Sequence, residues 1–200
     1  MKRSESLRAI QYSPDKIWDI VIIGGGATGL GAGVDAASRG YDTLVLEKYD
    51  FSKGTSSRST KLVHGGVRYL AAGDIGLVLE ALNERGLLLQ NAPHLVKNLK
   101  FIIPNYEWWD GPFYTVGLKV YDMMAGKLGL GPSIHITKEE TMKAIPNLVE
   151  EDLKGGVIYH DGQFDDSRLA ISLAQTITDN GGYVMNNCGV TRLIKNDEGI

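Results

Sequence analysis

Cysteine is nearly missing from this chain: Cys188 stands alone among 200 residues, so no disulfide can form within it. A single thiol suits a reducing compartment, and a cytoplasmic location is the expectation. A strong excess of one charge is missing too. Lys plus Arg number 21 against 24 Asp plus Glu, a net charge of -3. That balance excludes a general affinity for nucleic acid and leaves any anionic ligand to a local site. Long apolar runs are absent. Ile20-Val21-Ile22-Ile23, the longest near the start, is far too short to cross a bilayer. Met1 to Lys16 mixes Lys, Arg, Ser, Glu and Pro with no apolar stretch, so it does not resemble a secretory signal and reads as a polar lead-in. There is no internal repeat and no low-complexity segment. His94, His135 and His160 lack metal-ligand spacing, and Cys188 has no partner thiol, so no metal site is assigned. What is present is 43% hydrophobic residues, enough for a real core.

The pattern along the chain is α/β. Asp19 to Ile23 is a short β-branched run with the composition of a fully buried strand. A glycine turn follows, then an Ala-rich helix from Leu30 to Arg39 that Gly40 ends, then a strand from Thr43 to Leu46. Strand, turn, helix, strand is a βαβ unit with a parallel pair. Asp50 to Thr60 has no periodicity and reads as loop. Asp74 to Gln90 has helical spacing anchored on Ile75, Leu79, Leu82 and Leu89. Lys100 to Ile103 reads as a strand stopped by Pro104, and Phe113 to Met124 as a helix with Val116, Val120 and Met123/Met124 on one face. Thr137 to Glu140 has capping-box spacing, Gly156 to Tyr159 is strand-like, and Asp165 or Asp166 caps a helix running through Thr178 to Gly181-Gly182. Tyr183 to Ile194 is strand-rich, and the polar turn Asn196-Asp197-Glu198-Gly199 calls for a returning strand, so the chain reads as a piece of a longer protein.

Gly24, Gly26 and Gly29 have G-x-G-x-x-G spacing. The first permits the tight turn from strand to helix, the second admits a pyrophosphate against the backbone, and the third lets helix and sheet pack closely. The helix start then offers unpaired N–H groups and the positive end of its dipole to phosphate. A glycine motif alone is weak evidence, since any tight turn can use glycine. Here a strand precedes it, a helix follows, and Glu47 ends the next strand at the expected distance. That acid accepts ribose hydroxyls and repels a ribose 2′-phosphate, but it does not separate FAD from NAD.

The segment Gly54-Thr55-Ser56-Ser57-Arg58-Ser59-Thr60-Lys61-Leu62-Val63-His64-Gly65-Gly66-Val67-Arg68-Tyr69-Leu70 clusters hydroxyls, two cations and a glycine pair. Hydroxyls and backbone N–H groups of such a loop can hold phosphate, ribityl and flavin oxygens, and paired glycines admit a flat ring. This segment closely resembles the FAD-dependent glycerol-3-phosphate dehydrogenase family. Asn83-Glu84-Arg85, Ala92-Pro93-His94-Leu95, Trp108-Trp109, Lys119-Val120-Tyr121-Asp122 and the run from Tyr159 to Leu169 are similar to that family as well. The resemblance runs from about Trp18 to the end.

The resemblance implies an FAD-binding Rossmann-like βαβ domain with parts of an interleaved, mostly antiparallel substrate domain. On that plan residues 1–17 are the lead-in, 18–98 the first part of the FAD-binding domain, 99–164 a substrate-domain segment and 165–200 the return to the FAD-binding domain. Gly24, Gly26, Gly29 and Glu47 would bind the adenosine diphosphate half of FAD, and Val190 would approach adenine. Thr55, Ser56, Ser57, Lys61, His64, Gly65 and Gly66 would lie along pyrophosphate and flavin, and Arg68 and Tyr69 would face substrate. Arg68 suits a phosphate or a developing alkoxide, although a surface arginine fits the bare sequence equally well. His64 is a flavin contact or a proton acceptor, with loop orientation the plainer role. The implied reaction oxidises sn-glycerol 3-phosphate to dihydroxyacetone phosphate and passes electrons to quinone, in glycerol and glycerophospholipid catabolism. The resemblance allows peripheral attachment at the inner face of the cell membrane and a homodimer. An oxidase making peroxide, an FAD-binding fragment without turnover, and an amino-acid or amine oxidase are the competing readings.

Overall fold

The computed structural model describes residues 2–12, 15–66, 69, 73–108 and 110–195. In chain order its main elements are α1 (Arg3–Gln11), β1 (Ile20–Ile23), α2 (Ala27–Ser38), β2 (Thr43–Leu46), β3 (Leu62–Val63), α3 (Ile75–Asn91), β4 (Val96–Asn105), α4 (Asp110–Ala125), β5 (Ile134–Thr137), α5 (Lys138–Ala144), β6 (Gly155–Phe164), α6 (Asp166–Asp179) and β7 (Tyr183–Met185). They form two compact units, Met1–Thr60 with Asp165–Ile200, and Lys61–Phe164. Residues 61–98, assigned from sequence to the FAD-binding domain, thus cluster with 99–164. The cause is pairing: β3 hydrogen-bonds to β6, Leu62 opposite Gln163 and Val63 opposite Gly162.

The first unit is a parallel sheet of order β1-β2-β7. Ile20 pairs with Thr43 and Ile23 with Leu46, and β2 continues the ladder to Tyr183–Met185. Leu30, Ala37, Val45, Phe51, Ala170, Ala174, Ile177 and Val184 form its core. Small residues let α2 close on α6. A Cβ at Gly33 would lie 2.7 Å from the Ile177 Cδ1 and 3.0 Å from the Val45 Cγ2. Ile177 is fully buried there, a contribution of roughly 2–3 kcal/mol. β1 is not the fully buried strand its composition suggests: Val21 and Ile23 are 48% and 57% exposed. Among the described residues β1 has β2 as its only neighbour and is an edge strand.

Two further features of this unit differ from the sequence reading. The lead-in contains a helix, α1, which packs on β7 and whose Arg3 guanidinium donates to the Asn186 carbonyl and, at 2.9 Å, to its Oδ1. The strand-rich stretch from Tyr183 keeps strand geometry only to Met185, because Asn187 and Cys188 donate their N–H groups to the Tyr49 and Glu47 carbonyls and follow that loop instead. The turn Asn196 to Gly199 lies outside the described residues.

The second unit is antiparallel. β6 lies at its centre, with β4 along one edge from Val96–Phe164 to Asn105–Gly155, and β3 and β5 along the other. β4 runs through Pro104 instead of stopping there, and it is an edge strand, where proline is tolerated. The buried face of α3 is Val78, Leu82, Arg85 and Gly86, whereas Ile75 and Leu79 are exposed. Among the described side chains of α4, Leu118, Tyr121 and Ala125 are buried, whereas Val116, Val120 and Met123 are exposed. Both helical ranges match their periodicity, but the inward face is set by where Arg85 and Tyr121 find polar partners. Among the described residues no helix is long and apolar enough to cross a membrane.

Candidate cofactor site

In the first unit the glycine turn is shaped by backbone conformation at Gly24 and by close contacts at Gly25 and Gly29. Gly24 has φ +124°, a conformation that favours glycine, and donates its N–H to the Leu46 carbonyl at 2.8 Å. A Cβ at Gly29 would fall on the Gly24 carbonyl, a backbone atom that cannot yield. Gly25, outside the motif, is equally constrained: a Cβ there would lie 2.7 Å from the Phe51 ring and 2.8 Å from the Glu47 Cβ.

Glu47 fastens this turn. One carboxylate oxygen accepts the Gly25 N–H at 2.7 Å and the other accepts the Tyr49 N–H at 2.7 Å. A carboxylate has about four acceptor positions, so two remain for ribose hydroxyls. Gly26 is the N-cap of α2 and supplies no side-chain cap, and the first turn contains no acidic residue. The helix start therefore keeps the positive end of its dipole open to an anion. The Ser56 hydroxyl, on the short 3₁₀ turn Thr55–Ser57, accepts the Ala27 N–H at 2.9 Å. That places the hydroxyl-rich loop directly on the start of α2. Val190 follows Cys188, whose N–H bonds the Glu47 carbonyl, and is 38% exposed. Turn, acid, hydroxyl loop and the stretch carrying Val190 thus belong to one unit. Their donor set fits the adenosine diphosphate part of a dinucleotide: N–H groups and hydroxyls at the helix start, a carboxylate at the next strand end.

The remaining sequence-predicted residues lie in the second unit, apart from Arg68, which is outside the described residues. Lys61 has φ +62° and its carbonyl accepts the Phe164 N–H at 3.0 Å. His64 is exposed, whereas Gly65 and Gly66 are buried. Gly66 has φ +72° and its carbonyl accepts the Tyr69 N–H at 2.8 Å, so the Tyr69 ring lies against the Gly66 Cα. Tyr69 is 45% exposed.

Behind this glycine pair is a buried polar cluster for which sequence reasoning gave no role. Asp161 Oδ1 accepts the Gly65 N–H at 3.1 Å, the Arg85 Nη1 at 2.7 Å and the Tyr121 hydroxyl at 3.0 Å. Arg85, Tyr121 and Asp161 are at most 3% exposed. Burial, and then the Asp161 charge, raise the Tyr121 phenol well above its ordinary range, so it remains a donor. The available signal was Arg85 itself, a charge three residues from Leu82 on the helical face that turns inward. Among the described residues no group of His, Cys, Asp or Glu could hold a metal ion.

Comparison with known proteins decides the family. The model described as DAO, FAD dependent oxidoreductase, matches residues 19–200. The chain belongs to the FAD-dependent oxidoreductase family. FAD is therefore the cofactor. Within this family the chain is 46% identical over 188 residues to the mitochondrial glycerol-3-phosphate dehydrogenase of Schizosaccharomyces pombe, covering 90% of this chain and 29% of that protein. It is 44% identical over 200 residues to the human enzyme of the same name, covering 96% and 27%. Among solved structures, glycerol-3-phosphate dehydrogenase from Bacillus halodurans, complexed with FAD, superposes with a TM-score of 0.70 at 30% identity, covering 98% of this chain and 31% of that one. The resemblance read from the second loop, and the α/β FAD-binding fold it implied, are borne out. This member of the family spans less than a third of the length of these relatives.

Proposed function

We propose that the protein to which this chain belongs oxidises sn-glycerol 3-phosphate to dihydroxyacetone phosphate with FAD and delivers the electrons to quinone. The observation that carries this reading is the 46% identity to a glycerol-3-phosphate dehydrogenase across 90% of the chain. The described geometry supports it at the cofactor end. Gly24, through its positive φ, and Gly29, packed on the Gly24 carbonyl, make the tight turn, Gly26 is proposed to admit the pyrophosphate, Glu47 keeps acceptor positions for ribose, and Ser56 adds a hydroxyl at the start of α2. Thr55, Ser57, Lys61, His64, Gly65 and Gly66 are proposed for the pyrophosphate-to-flavin stretch, and Val190 for adenine.

When bound, FAD supplies the hydride acceptor, and the protein supplies orientation and electrostatics. Arg68 is proposed to hold the substrate phosphate or the developing C2 alkoxide through its fixed charge, with Tyr69 beside it as a hydroxyl donor. His64 is proposed to contact the flavin or to accept a proton. Peripheral attachment to the inner face of the cell membrane and a homodimer complete the reading.

The test is turnover of the full-length protein with glycerol 3-phosphate and two acceptors in parallel, a soluble quinone analogue and oxygen. The expected result is quinone reduction with little peroxide. Oxygen as the one productive acceptor overturns the quinone assignment, and turnover of amino acids in place of glycerol 3-phosphate overturns the substrate.

A further inference from the structure

We propose that Arg85, Tyr121 and Asp161 are positioning residues for the flavin, clamping the Gly65 amide and so fixing how the His64–Gly66 loop faces its ligand. This inference rests on the reading that the His64–Gly66 loop lies against the flavin. Three donors from three parts of the second unit converge on one carboxylate oxygen: the loop through the Gly65 N–H, α3 through Arg85 and α4 through Tyr121. Arg85 Nη1 also donates to the His160 carbonyl at 3.3 Å, which ties the same point to β6. A Cβ at Gly65 would meet Leu82 and the Tyr121 hydroxyl, so the loop rests directly on both helices.

The arrangement has a directional consequence. The peptide between His64 and Gly65 is trans, and its N–H points inward to Asp161. The His64 carbonyl must therefore point the opposite way, out of the core. Rotating this peptide would leave the buried Asp161 short of a donor and turn the carbonyl inward. The cluster thus selects one face of the loop for presentation to a ligand.

The chemistry of the cluster argues for a role beyond holding the fold. A buried ion pair pays a desolvation penalty that well-packed apolar residues avoid, and such pairs are often replaceable without loss of stability. Here the arrangement is also incompletely satisfied, since the buried Arg85 Nε has no hydrogen-bond partner. What apolar replacements would lose is the fixed orientation of the Gly65 peptide.

The test uses the full-length holoenzyme and two variants, Tyr121→Phe and Asp161→Asn. FAD dissociation constant, visible flavin spectrum and flavin midpoint potential are measured beside the melting temperatures of apo and holo forms. Tyr121→Phe removes one donor without unpairing a charge, and should weaken FAD binding about fivefold, the equivalent of one hydrogen bond, with a shifted flavin band. Asp161→Asn leaves Arg85 without its counter-charge and should weaken FAD binding further. If Asp161→Asn does not fold, Tyr121→Phe alone decides. Equal loss of melting temperature in apo and holo forms, with a wild-type dissociation constant, spectrum and potential, overturns the proposal. A wild-type protein that takes up no FAD overturns the underlying reading and this inference with it, an outcome distinct from a failure confined to the variants.

Discussion

The same substitution two residues apart in α2 should have opposite effects. At Gly29 an added Cβ falls on the Gly24 carbonyl, 3.1 Å from the Gly24 carbonyl carbon and 3.3 Å from the Ile22 Cγ2. The obstructing atoms are mostly backbone, so relief requires α2 to move away from β1. Overpacking of this kind costs about 3 kcal/mol, while alanine returns about 1 kcal/mol of helix propensity. The net for Gly29→Ala is about 2 kcal/mol of destabilisation. At Gly31 nothing lies within 4 Å of the added atom, so Gly31→Ala should stabilise by about 0.5–1 kcal/mol. Gly29→Ala should therefore melt below wild type and Gly31→Ala slightly above it. The assay is thermal melting of the full-length protein, with flavin content read on the same samples. Gly29→Ala should also lose FAD, because the displaced helix start no longer faces the turn. A Gly29→Ala protein that melts at or above wild type with its full FAD content would refute the packing argument.

Glu47→Gln should weaken FAD binding at least about tenfold, because an amide can accept only one of the Gly25 and Tyr49 N–H groups and sets its own NH₂ against the other; titration of the apoprotein with FAD measures this, and wild-type affinity would contradict it. Thr137→Ala removes one half of the capping box, in which the Thr137 hydroxyl accepts the Glu140 N–H at 3.2 Å and Glu140 accepts the Thr137 N–H at 2.9 Å; a loss of about 1 kcal/mol in denaturant unfolding is expected, and no loss would contradict it. The Tyr121 phenol titrates higher in the folded than in the unfolded chain. Its contribution to stability is therefore complete below about pH 10, the ordinary tyrosine value, and falls as pH rises beyond that. Tyr121→Phe should flatten that alkaline decline in a series of melts, and an unchanged slope would contradict the assignment.

Much of the first unit was legible because its chemistry is local. β-branched residues over Ile20–Ile23, glycines at fixed spacing and an Ala-rich run name a strand, a turn and a helix without tertiary help. Gly40 at φ +85° and the capping box at Thr137 are likewise local signals that the structure keeps. What was not legible depended on partners distant in sequence. Gly25 lies outside the G-x-G-x-x-G pattern, and its constraint comes from Phe51 and Glu47. The inward faces of α3 and α4 could not be read from apolar periodicity alone, because Arg85 and Tyr121, held by Asp161 on β6, are buried there as deeply as Leu82 and Leu118. β1 exposes Val21 and Ile23 because burial depends on neighbouring strands as well as composition. The grouping of residues 61–98 with the second unit depends on a distant partner as well: the two-residue strand Leu62–Val63 carries no periodicity of its own, yet it pairs with β6.

The most direct test of the central claim is spectroscopic. The full-length protein, purified with its flavin and held under anaerobic conditions, is mixed with sn-glycerol 3-phosphate while its visible absorbance is followed. Prompt bleaching of the oxidised flavin band and formation of dihydroxyacetone phosphate in equal amount are expected. A flavin that stays oxidised with glycerol 3-phosphate, yet bleaches with an amino acid, would contradict it.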